Sequence, residues 1–375
     1  MQMTKRMARI WTILFVLLMA AGIIGFVLTP QRAFSKQENR VLQTRPAFSW
    51  QRLFDGTLIA ELEQYACDQF PARDHWISLK CQLERWSGKR ENNGVYFGSD
   101  GTLMEALAPK NEEVLRVNLM GVEALARELD TTAVLLPVPS NAWVNRASLP
   151  AFAPVPDQRT QWQWLRAHAS ENVHVADVLT PLDDWQDPLY FATDHHWNEH
   201  GAYIGYCALM QALGHMPLSQ EAFIIREVSR DFFGTLTSKS GVRHLPGDRI
   251  CAIAARDGMP PHMEVVDDGT ARQSLLWAEK LQEKDQYTYY LGGNHAVTVV
   301  YGSVQNGQKL LLIKDSYAHI LAPYLASQYQ EIHMIDPRYY NASVSAYYRA
   351  YGCNELAVLF SLKFLNEEAT LRKLR

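Results

Sequence analysis

Cysteine is scarce in this chain, and neither sign of charge is in large excess. The cysteines are odd in number and widely spaced, and they are Cys67, Cys81, Cys207, Cys251 and Cys353. This spacing excludes a dense disulfide framework and a CxxC metal knot, and it leaves Cys67–Cys81 as the candidate for a single disulfide. The net charge of −4 argues against a nucleic-acid binder, which would more often be basic.

Internal repeats and low-complexity tracts are also missing. The hydrophobic fraction of 47% and the charged fraction of 20% are close to those of globular proteins. These values exclude a wholly disordered chain, a collagen-like chain and a polytopic membrane protein. The length of 375 residues predicts one large domain or two ordinary ones.

One long hydrophobic run lies near the amino terminus. Residues 10–29 carry no charge, and a helix of that length spans about 30 Å, the thickness of a bilayer core. We predict a retained transmembrane signal anchor, with residues 1–9 as a cytoplasmic tail and the remaining chain extracytoplasmic at the cell membrane. The alternative is a cleaved signal peptide. The positive-inside count is nearly balanced, with Lys5, Arg6 and Arg9 before the run and Arg32, Lys36 and Arg40 after it.

The rest of the chain divides by pattern into two parts. Residues 30–92 have apolar positions at helical spacing, which predicts a helical juxtamembrane segment. In residues 93–375, short apolar runs alternate with helical patterns, which predicts an α/β domain with a doubly wound parallel sheet and helices on both faces. The runs are residues 133–138, 173–178, 310–313, 332–335 and 356–360. Between about residues 220 and 305 we predict a β-rich insertion, with one of its strands at residues 287–291.

Polar side chains suited to acyl transfer follow several of these predicted strands. Because ligands bind beyond the carboxyl ends of parallel strands, we expect these side chains to converge. A serine needs a histidine base, and the base needs a carboxylate that holds its ring in the right tautomer. The candidates are Ser316 as nucleophile, His196 as base, Asp194 as its partner, and Asn141 and Arg338 at neighbouring strand ends.

Each candidate also has a simpler interpretation. Ser316 stands at a strand-to-helix turn, where serine is typical of a helix N-cap, and Asp194 is typical of a turn. The run from His196 to His200 has the H-x-x-E-H spacing of inverted zinc peptidases. That motif needs both histidines on one helical face. Asn198 is the expected N-cap of the following helix, which would leave His196 outside it.

The segment Thr193-Asp194-His195-His196-Trp197-Asn198, followed by Gly201-Ala202-Tyr203, resembles the signature of the bacterial DHHW family. That family is related to the SGNH-hydrolase-like proteins of alginate O-acetylation. The resemblance covers most of the chain after residue 35. The other matching motifs are Glu38-Asn39-Arg40 with Pro46, Phe70-Pro71-x-Arg73-Asp74, Val95-Tyr96-Phe97-Gly98-x-Asp100-Gly101, Pro137-x-Pro139-Ser140, Asp231-Phe232-x-Gly234-Thr235 with Ser238-Lys239, and Lys314-Asp315-Ser316-Tyr317.

The resemblance implies an SGNH-hydrolase-like fold and a triad of Ser316, His196 and Asp194. Its order along the chain is reversed from that of ordinary SGNH esterases. Lys314 stands where the family's G-D-S motif has glycine, and no motif fixes the oxyanion donors. The candidates for oxyanion or substrate contacts are Asn141, Arg338, Asn294 and Tyr317.

The implied function is that of a membrane-anchored O-acetyltransferase or acetylesterase acting on a cell-surface or secreted polysaccharide. The resemblance also implies a membrane-bound O-acyltransferase as partner, and we expect no metal, cofactor or nucleic acid. Two alternatives remain at this point. One is a non-catalytic glycan-binding or complex-organising protein with the same fold, and the less favoured one is a zinc hydrolase.

Overall fold

The structure, a computed structural model, describes residues 5–35, 37–38, 40–243 and 245–374. The chain divides into two compact units, residues 1–89 with 241–243, and residues 90–240 with 244–375. The elements of the first unit are α1 (Lys5–Leu28), β1 (Phe34–Ser35), β2 (Arg40–Val41), α2 (Trp50–Phe54), α3 (Thr57–Asp68) and α4 (Arg73–Trp86).

Helix α1 is long and apolar enough to cross a membrane. It has 24 residues, which corresponds to about 36 Å, and none of them is buried. An anchor and a signal sequence both fit this helix. The helix begins at Lys5, before the apolar run. Some residues named in the predictions lie outside the described residues, namely residues 1–4 of the tail, Lys36, and Asn39 of the first family motif.

The helices after α1 are held to the preceding strand by buried charge. Asp68, at the end of α3, is 1% exposed and accepts hydrogen bonds from the Arg40 guanidinium and the Gln43 amide. Hydrogen bonding to Arg40 holds the pKa of the Asp68 carboxyl well below its usual range. The carboxylate therefore stays ionised and ties strand β2 to helix α3.

The predicted disulfide Cys67–Cys81 is absent, and none of the five cysteines forms a disulfide. Cys67 lies on the exposed side of α3, whereas Cys81 is buried on α4. The spacing along the sequence permits a disulfide between these cysteines, but one thiol is exposed to solvent and the other is buried.

The second unit contains the remaining strands and helices. Its first half consists of β3 (Glu91–Asn92), β4 (Val95–Phe97), β5 (Leu103–Glu105), α5 (Glu112–Glu128), β6 (Ala133–Val138), α6 (Asn141–Val144), α7 (Gln158–His168), β7 (Val173–Val175), α8 (Leu179–Asp183) and α9 (Glu199–Ala212). Its second half consists of β8 (Phe223–Phe232), α10 (Thr235–Ser240), β9 (Asp248–Ala255), β10 (His262–Val265), β11 (Thr270–Arg272), β12 (Val297–Tyr301), β13 (Lys309–Lys314), α11 (Ala322–Leu325), β14 (Glu331–Ile335), α12 (Val344–Tyr351), β15 (Glu355–Ser361) and α13 (Leu362–Glu367).

Eight strands form the main sheet, in the order β11-β10-β12-β14-β13-β15-β6-β7. The five strands from β14 to β7 are parallel to one another, as predicted, while β12, β10 and β11 extend one edge in antiparallel fashion. The sheet is therefore mostly parallel rather than wholly so. Strands β8 and β9 form a separate antiparallel pair.

Helices cover both faces of the sheet, because side chains alternate along each buried strand. In β6, Val134 and Leu136 face a core that includes residues of α9. The neighbouring Ala133 and Leu135 face a second core, which includes residues of α5, α7 and α12. This arrangement confirms the predicted α/β fold with helices on both faces.

The strand predicted at residues 287–291 is wrong. Residues Gln286–Tyr289 form a 3-10 turn, and the Thr288 hydroxyl donates to the Asp285 carbonyl. Closely spaced tyrosines are typical of strands, but here a turn buries them, with the Tyr287 and Tyr289 rings each packed against the Tyr290 ring. The Tyr290 hydroxyl donates to the Cys251 carbonyl.

Glycine at position 121 of α5 permits close packing of the carboxyl-terminal segment. A β-carbon there would overlap the Leu371 carbonyl. Next to this contact, Asn118 donates to the Leu365 and Glu368 carbonyls and accepts from the Leu371 amide. The helix and the segment after α13 therefore approach closely only because residue 121 has no side chain.

We expect Gly121→Ala to lower the free energy of unfolding by ~1–3 kcal/mol, the usual cost of overpacking. The sign is diagnostic, because the same change in an uncrowded helix stabilises by roughly 1 kcal/mol. Urea unfolding of the full chain in detergent, followed by circular dichroism, measures the change. Met120→Ala, on the exposed side of the same helix, is the control and should stay within ~0.5 kcal/mol. A stabilised Gly121→Ala protein would contradict the described packing.

Candidate active site

Ser316 is presented by a turn at the end of a central strand. Strand β13 ends at Lys314, and Ser316–Ala318 form one 3-10 turn. The Asp315 carboxylate accepts from the Tyr317 amide at 3.0 Å and from the Ser361 amide, at the end of β15, at 2.8 Å. This carboxylate therefore fixes the turn and joins the carboxyl ends of two adjacent strands.

His196 is held in the loop that leads into α9. Asn198 caps that helix by accepting from the amides of His200 and Gly201, as the sequence predicts. Trp197 is fully buried, and its indole donates to the Tyr317 carbonyl at 2.9 Å. The loop carrying His196 and the turn carrying Ser316 are thus joined directly.

The three side chains predicted as a triad form two hydrogen-bond contacts, one between Ser316 and His196 and one between His196 and Asp194. Ser316 Oγ is 2.7 Å from His196 Nε2, and His196 Nδ1 is 2.6 Å from Asp194 Oδ1. Both distances suit an arrangement in which the Ser316 hydroxyl donates to Nε2 and Nδ1–H donates to the Asp194 carboxylate. The arrangement can transfer a proton from the serine hydroxyl to the imidazole.

Asp194 is buried among hydrogen-bond donors. It is 1% exposed, and its Oδ2 accepts from both the amide and the hydroxyl of Thr235, at 2.7 and 2.8 Å. Burial alone would raise the pKa of Asp194, but the two neighbouring histidines and these hydrogen bonds outweigh it and hold the pKa well below the usual range. Gly234 allows this approach, because a β-carbon there would overlap Asp194.

His196 lies in an apolar and aromatic environment. The Tyr287 ring stacks on its imidazole at 3.8 Å between centroids, with an angle of 7° between the planes. The Tyr287 hydroxyl donates to the Ser316 carbonyl at 2.9 Å. Burial lowers the pKa of His196 to about 4, with His195 adding to the effect and Asp194 opposing it. The imidazole is therefore neutral at physiological pH, as a general base must be.

Ser316 opens onto a cleft of about 540 Å³, here called the serine cleft. Of the predicted oxyanion or substrate residues, Asn141, Arg338 and Tyr317 line it. Asn294 is not among the lining residues and contacts Arg338 instead, at 3.4 Å. The Tyr317 hydroxyl donates to the His195 carbonyl, and the Tyr317 amide is bound by Asp315, so neither of these donors is available to a substrate.

Asn141 lines the serine cleft with a side-chain amide that makes one weak hydrogen bond. Its Nδ2 makes only a long contact of 3.5 Å with the Leu103 carbonyl, while its Oδ1 accepts from Asn145. Arg338 is held differently, because Nε and Nη2 donate to the buried Asp336 carboxylate at 2.9 and 2.6 Å. The Asn141 amide is thus less engaged by the protein than the Arg338 guanidinium.

Lys314, in the position of the motif's glycine, is a buried cation behind the serine. Its side chain is 2% exposed, and Nζ lies 2.8 Å from His319 Nε2 and 3.7 Å from Asp336 Oδ2. Burial lowers the pKa of Lys314 to about 8, and Asp336 opposes this effect. The lysine in place of glycine therefore forms an ion pair with Asp336. Asp336 also binds Arg338 at the cleft.

Two residues that shape this site had no predicted role. Thr235, the double donor to Asp194, lies in a matched family motif, and that motif was the available signal. Tyr287, which stacks on His196, lies in the turn that was wrongly predicted as a strand. No local pattern pointed to it.

The zinc interpretation of His196 and His200 is not supported by the geometry. Both ring nitrogens of His196 have partners, and His200 lies on the first turn of α9, after the N-cap. Among the described residues, one group has ligand atoms close enough for a metal, and it consists of Asp194, His195 and His196. That group does not include His200.

The sequence of residues 97–246 matches the family described as SGNH hydrolase-like domain, acetyltransferase AlgX. No curated protein matches the chain. A solved DHHW family protein from Eubacterium siraeum is similar, with a TM-score of 0.64, 17% identity, and coverage of 76% of this chain and 95% of that chain. Bacillus cereus PatB1 with a sulfonyl adduct has a TM-score of 0.62 and 18% identity, covering 74% of this chain and 97% of that one.

These comparisons confirm the resemblance to the DHHW family and to the SGNH-hydrolase-like acetyltransferase domain. The O-acetyltransferase domain of Pseudomonas putida AlgJ is also matched, with a TM-score of 0.46, 18% identity, and coverage of 75% of this chain and 99% of that chain. The family match over residues 97–246 and the similarity to the solved DHHW family protein show that the chain has an SGNH-like fold.

We expect the His196 ring to remain neutral, with the proton on Nδ1, from pH 8 down to pH 5. The cause is burial, which lowers its pKa to about 4. Nuclear magnetic resonance of histidine-labelled protein measures this, and the His196→Asn spectrum identifies the signal. A His196 ring that becomes protonated near pH 6.5, the ordinary value for histidine, would contradict the described environment.

Proposed function

We propose that this SGNH-like protein is a membrane-anchored, extracytoplasmic O-acetyltransferase or acetylesterase acting on a cell-surface or secreted polysaccharide. Ser316, His196 and Asp194 are its catalytic triad in this proposal. The observation that carries it is the 2.7 Å contact of Ser316 Oγ with the neutral, buried Nε2 of His196. Helix α1 supports the anchor, and the family match supports acetyl chemistry.

The proposed reaction begins with attack of Ser316 Oγ on the carbonyl carbon of an acetyl ester. His196 Nε2 accepts the hydroxyl proton, and Asp194 stabilises the imidazolium that forms. The Asn141 amide is the proposed donor to the oxyanion, because it lines the cleft and has only one long contact. Collapse of the intermediate breaks the bond to the leaving alcohol, which takes the proton from His196.

The second half of the reaction transfers the acetyl group from Ser316. A sugar hydroxyl, or water in the esterase, attacks the acyl-enzyme while His196 accepts its proton. The proton then returns to Ser316 Oγ as the product leaves. The serine cleft suits a hydroxyl-rich acceptor, since its polar lining includes Glu105, Lys239, Lys363 and Glu367. The acetyl donor would come from a membrane-bound O-acyltransferase partner.

We expect the full chain in detergent to hydrolyse an activated phenyl acetate, because water replaces the missing sugar acceptor. Ser316→Ala and His196→Ala should each lower kcat/KM by ~10³-fold or more, and the double variant should lose little beyond either single one. A phenylmethanesulfonyl fluoride probe should add one sulfonyl group to Ser316, as mass spectrometry detects. His195→Ala should cost much less, because the His195 Nδ1 contacts Thr235 rather than Ser316.

The matched histidine control is His262→Ala, an exposed position on β10, which should keep wild-type turnover. Full turnover by the Ser316→Ala variant would contradict the proposed catalytic triad and favour a glycan-binding role. Loss of turnover with a chelator and its recovery with zinc would favour metal hydrolysis.

We expect the rate of ester hydrolysis to stay flat from pH 8 to about pH 5 and to fall as the pH drops through about 4. The base must be neutral to accept a proton, and the pKa of His196 is lowered to about 4. Initial rates across this range measure the profile, with remeasurement at pH 7 to separate titration from unfolding. A reversible half-maximal rate near pH 6.5 would contradict this assignment of the base.

A further inference from the structure

Tyr287 contacts both the base and the nucleophile of the proposed triad. Its ring lies against the His196 imidazole, with the two centroids 3.8 Å apart and an angle of 7° between the planes. Its hydroxyl donates to the Ser316 carbonyl at 2.9 Å. The ring therefore covers one face of the imidazole, and the hydroxyl ties that ring to the turn that carries the serine.

Two other rings approach His196, but both are tilted away from a parallel arrangement. The His195 ring lies at 3.9 Å between centroids with an angle of 36° between the planes. The Tyr317 ring lies at 5.0 Å with an angle of 56°, and its hydroxyl donates to the His195 carbonyl. Of these three rings, Tyr287 is the one that presents its face to the imidazole.

The neighbours of Tyr287 hold its ring in this orientation. Tyr287 is buried, and the rings of Phe191 and Tyr290 form T-shaped contacts with it, at 6.3 and 5.5 Å between centroids. The His319 ring lies nearly parallel to it, at 6.0 Å and 19°. A group that is already fixed in place can stabilise a developing charge without reorganising during the reaction.

The Tyr287 phenol is uncharged, because burial raises its pKa well above the usual range. The face of an uncharged aromatic ring is the negative part of its quadrupole. Such a face attracts a cation that lies within about 6 Å of the ring centroid, and the attraction is stronger where water is excluded. The imidazole of His196 lies well inside this distance, so an imidazolium there would gain a cation–π attraction that the neutral ring lacks.

Proton transfer from Ser316 creates this imidazolium. The O–H bond of the serine breaks, an N–H bond forms at His196 Nε2, and a positive charge appears on a ring that is 5% exposed. Burial opposes this charge, and the Asp194 carboxylate offsets part of the cost at Nδ1. An interaction that is stronger in the transition state than in the resting site lowers the barrier. The Tyr287 face offers such an interaction at the face of the ring.

From this geometry we propose that Tyr287 is a positioning residue whose ring stabilises the His196 imidazolium in the transition state through a cation–π interaction. The hydroxyl keeps the ring over the imidazole by binding the Ser316 carbonyl. This inference rests on the proposed function, because His196 must accept the serine proton. It deepens that function by assigning, besides Asp194, a second group that stabilises the charge on the base.

The test compares Tyr287→Phe with variants that carry mono-, di- and trifluorinated phenylalanine at position 287, in the full chain in detergent. Fluorine withdraws electrons from the ring face and weakens cation–π attraction, while the ring keeps nearly the same size. We expect kcat for hydrolysis of the activated phenyl acetate to fall with each added fluorine, by about tenfold from phenylalanine to the trifluorinated ring. KM should stay unchanged, because the interaction is made in the transition state and not in substrate binding.

The control is the same fluorinated series at Phe223. This residue is buried in the same unit, and its ring contacts Tyr203, Tyr206 and Tyr324 rather than the base. Its fluorinated variants should keep the parent kcat. A kcat that stays level across the series at position 287, or an equal fall in both series, would overturn the proposal, because a ring that only fills space does not respond to the charge of its face.

A second series covers the case in which Tyr287→Phe has no measurable turnover because the contact with the Ser316 carbonyl is lost. Fluorinated tyrosines at position 287 keep the hydroxyl, and kcat should again fall with each added fluorine. A level kcat across these tyrosines would refute the cation–π role.

Failure of this inference can be told apart from failure of the proposed function. Ester hydrolysis retained by Ser316→Ala removes the catalytic proposal together with the role of Tyr287. If Ser316→Ala abolishes hydrolysis while kcat stays level across the fluorinated rings, the triad stands and the cation–π role alone is lost.

Discussion

One buried carboxylate, Asp194, links the parts of the serine cleft. It accepts from His196 on one oxygen and from Thr235 on the other, so it joins the loop before α9 to the start of α10. An ionised group at 1% exposure is tolerated only when its acceptor sites are filled, and here donors surround both oxygens. The orientation of the imidazole, and through it the position of the proton on Ser316, depends on this one side chain.

The main sheet supplies the rigidity that such a site needs. Ser316 follows β13, which lies between β14 and β15 in the middle of the eight-stranded sheet. Asp315 fastens the end of β13 to the Ser361 amide, and Asp336 after β14 holds both Lys314 and Arg338. The charged groups after β13 and β14 thus link three adjacent strand ends, with β15 joined through the Ser361 amide. The unusual lysine in the serine motif is part of that set.

Much of this architecture could be predicted from the sequence because the buried strands are continuous apolar runs. The run at residues 133–138 coincides with β6, and Asn198 caps α9 as its position indicated. The serine, histidine and aspartate lie together because strand ends and a motif loop meet at one sheet edge. Of the four candidates for oxyanion or substrate contacts, three line the serine cleft, whereas Asn294 contacts Arg338 instead.

The features that could not be predicted depend on contacts between distant parts of the chain. Stacking of Tyr287 on His196 joins residues on different elements, and a tyrosine-rich stretch gives no local sign of it. The disulfide expected for Cys67–Cys81 failed for the same reason, since sequence spacing does not determine which sides of two helices face each other. The antiparallel edge of the sheet follows from the path of the chain through β10 to β12. No single apolar run in the sequence indicates the direction in which its strand pairs.

The pairing of β6 with β15 has a consequence for how this protein acquires its structure. Ala133 is opposite Leu356, and the two are separated by more than 220 residues, so the centre of the sheet joins early and late parts of the chain. Pairings of such long range are slow, because closing the intervening loop costs entropy before any contact repays it. During synthesis, β6 can pair with β7, but its other neighbour, β15, is missing until almost the entire chain has emerged. In that interval an apolar strand edge stays open to wrong partners, and chaperone protection matters most for this stage.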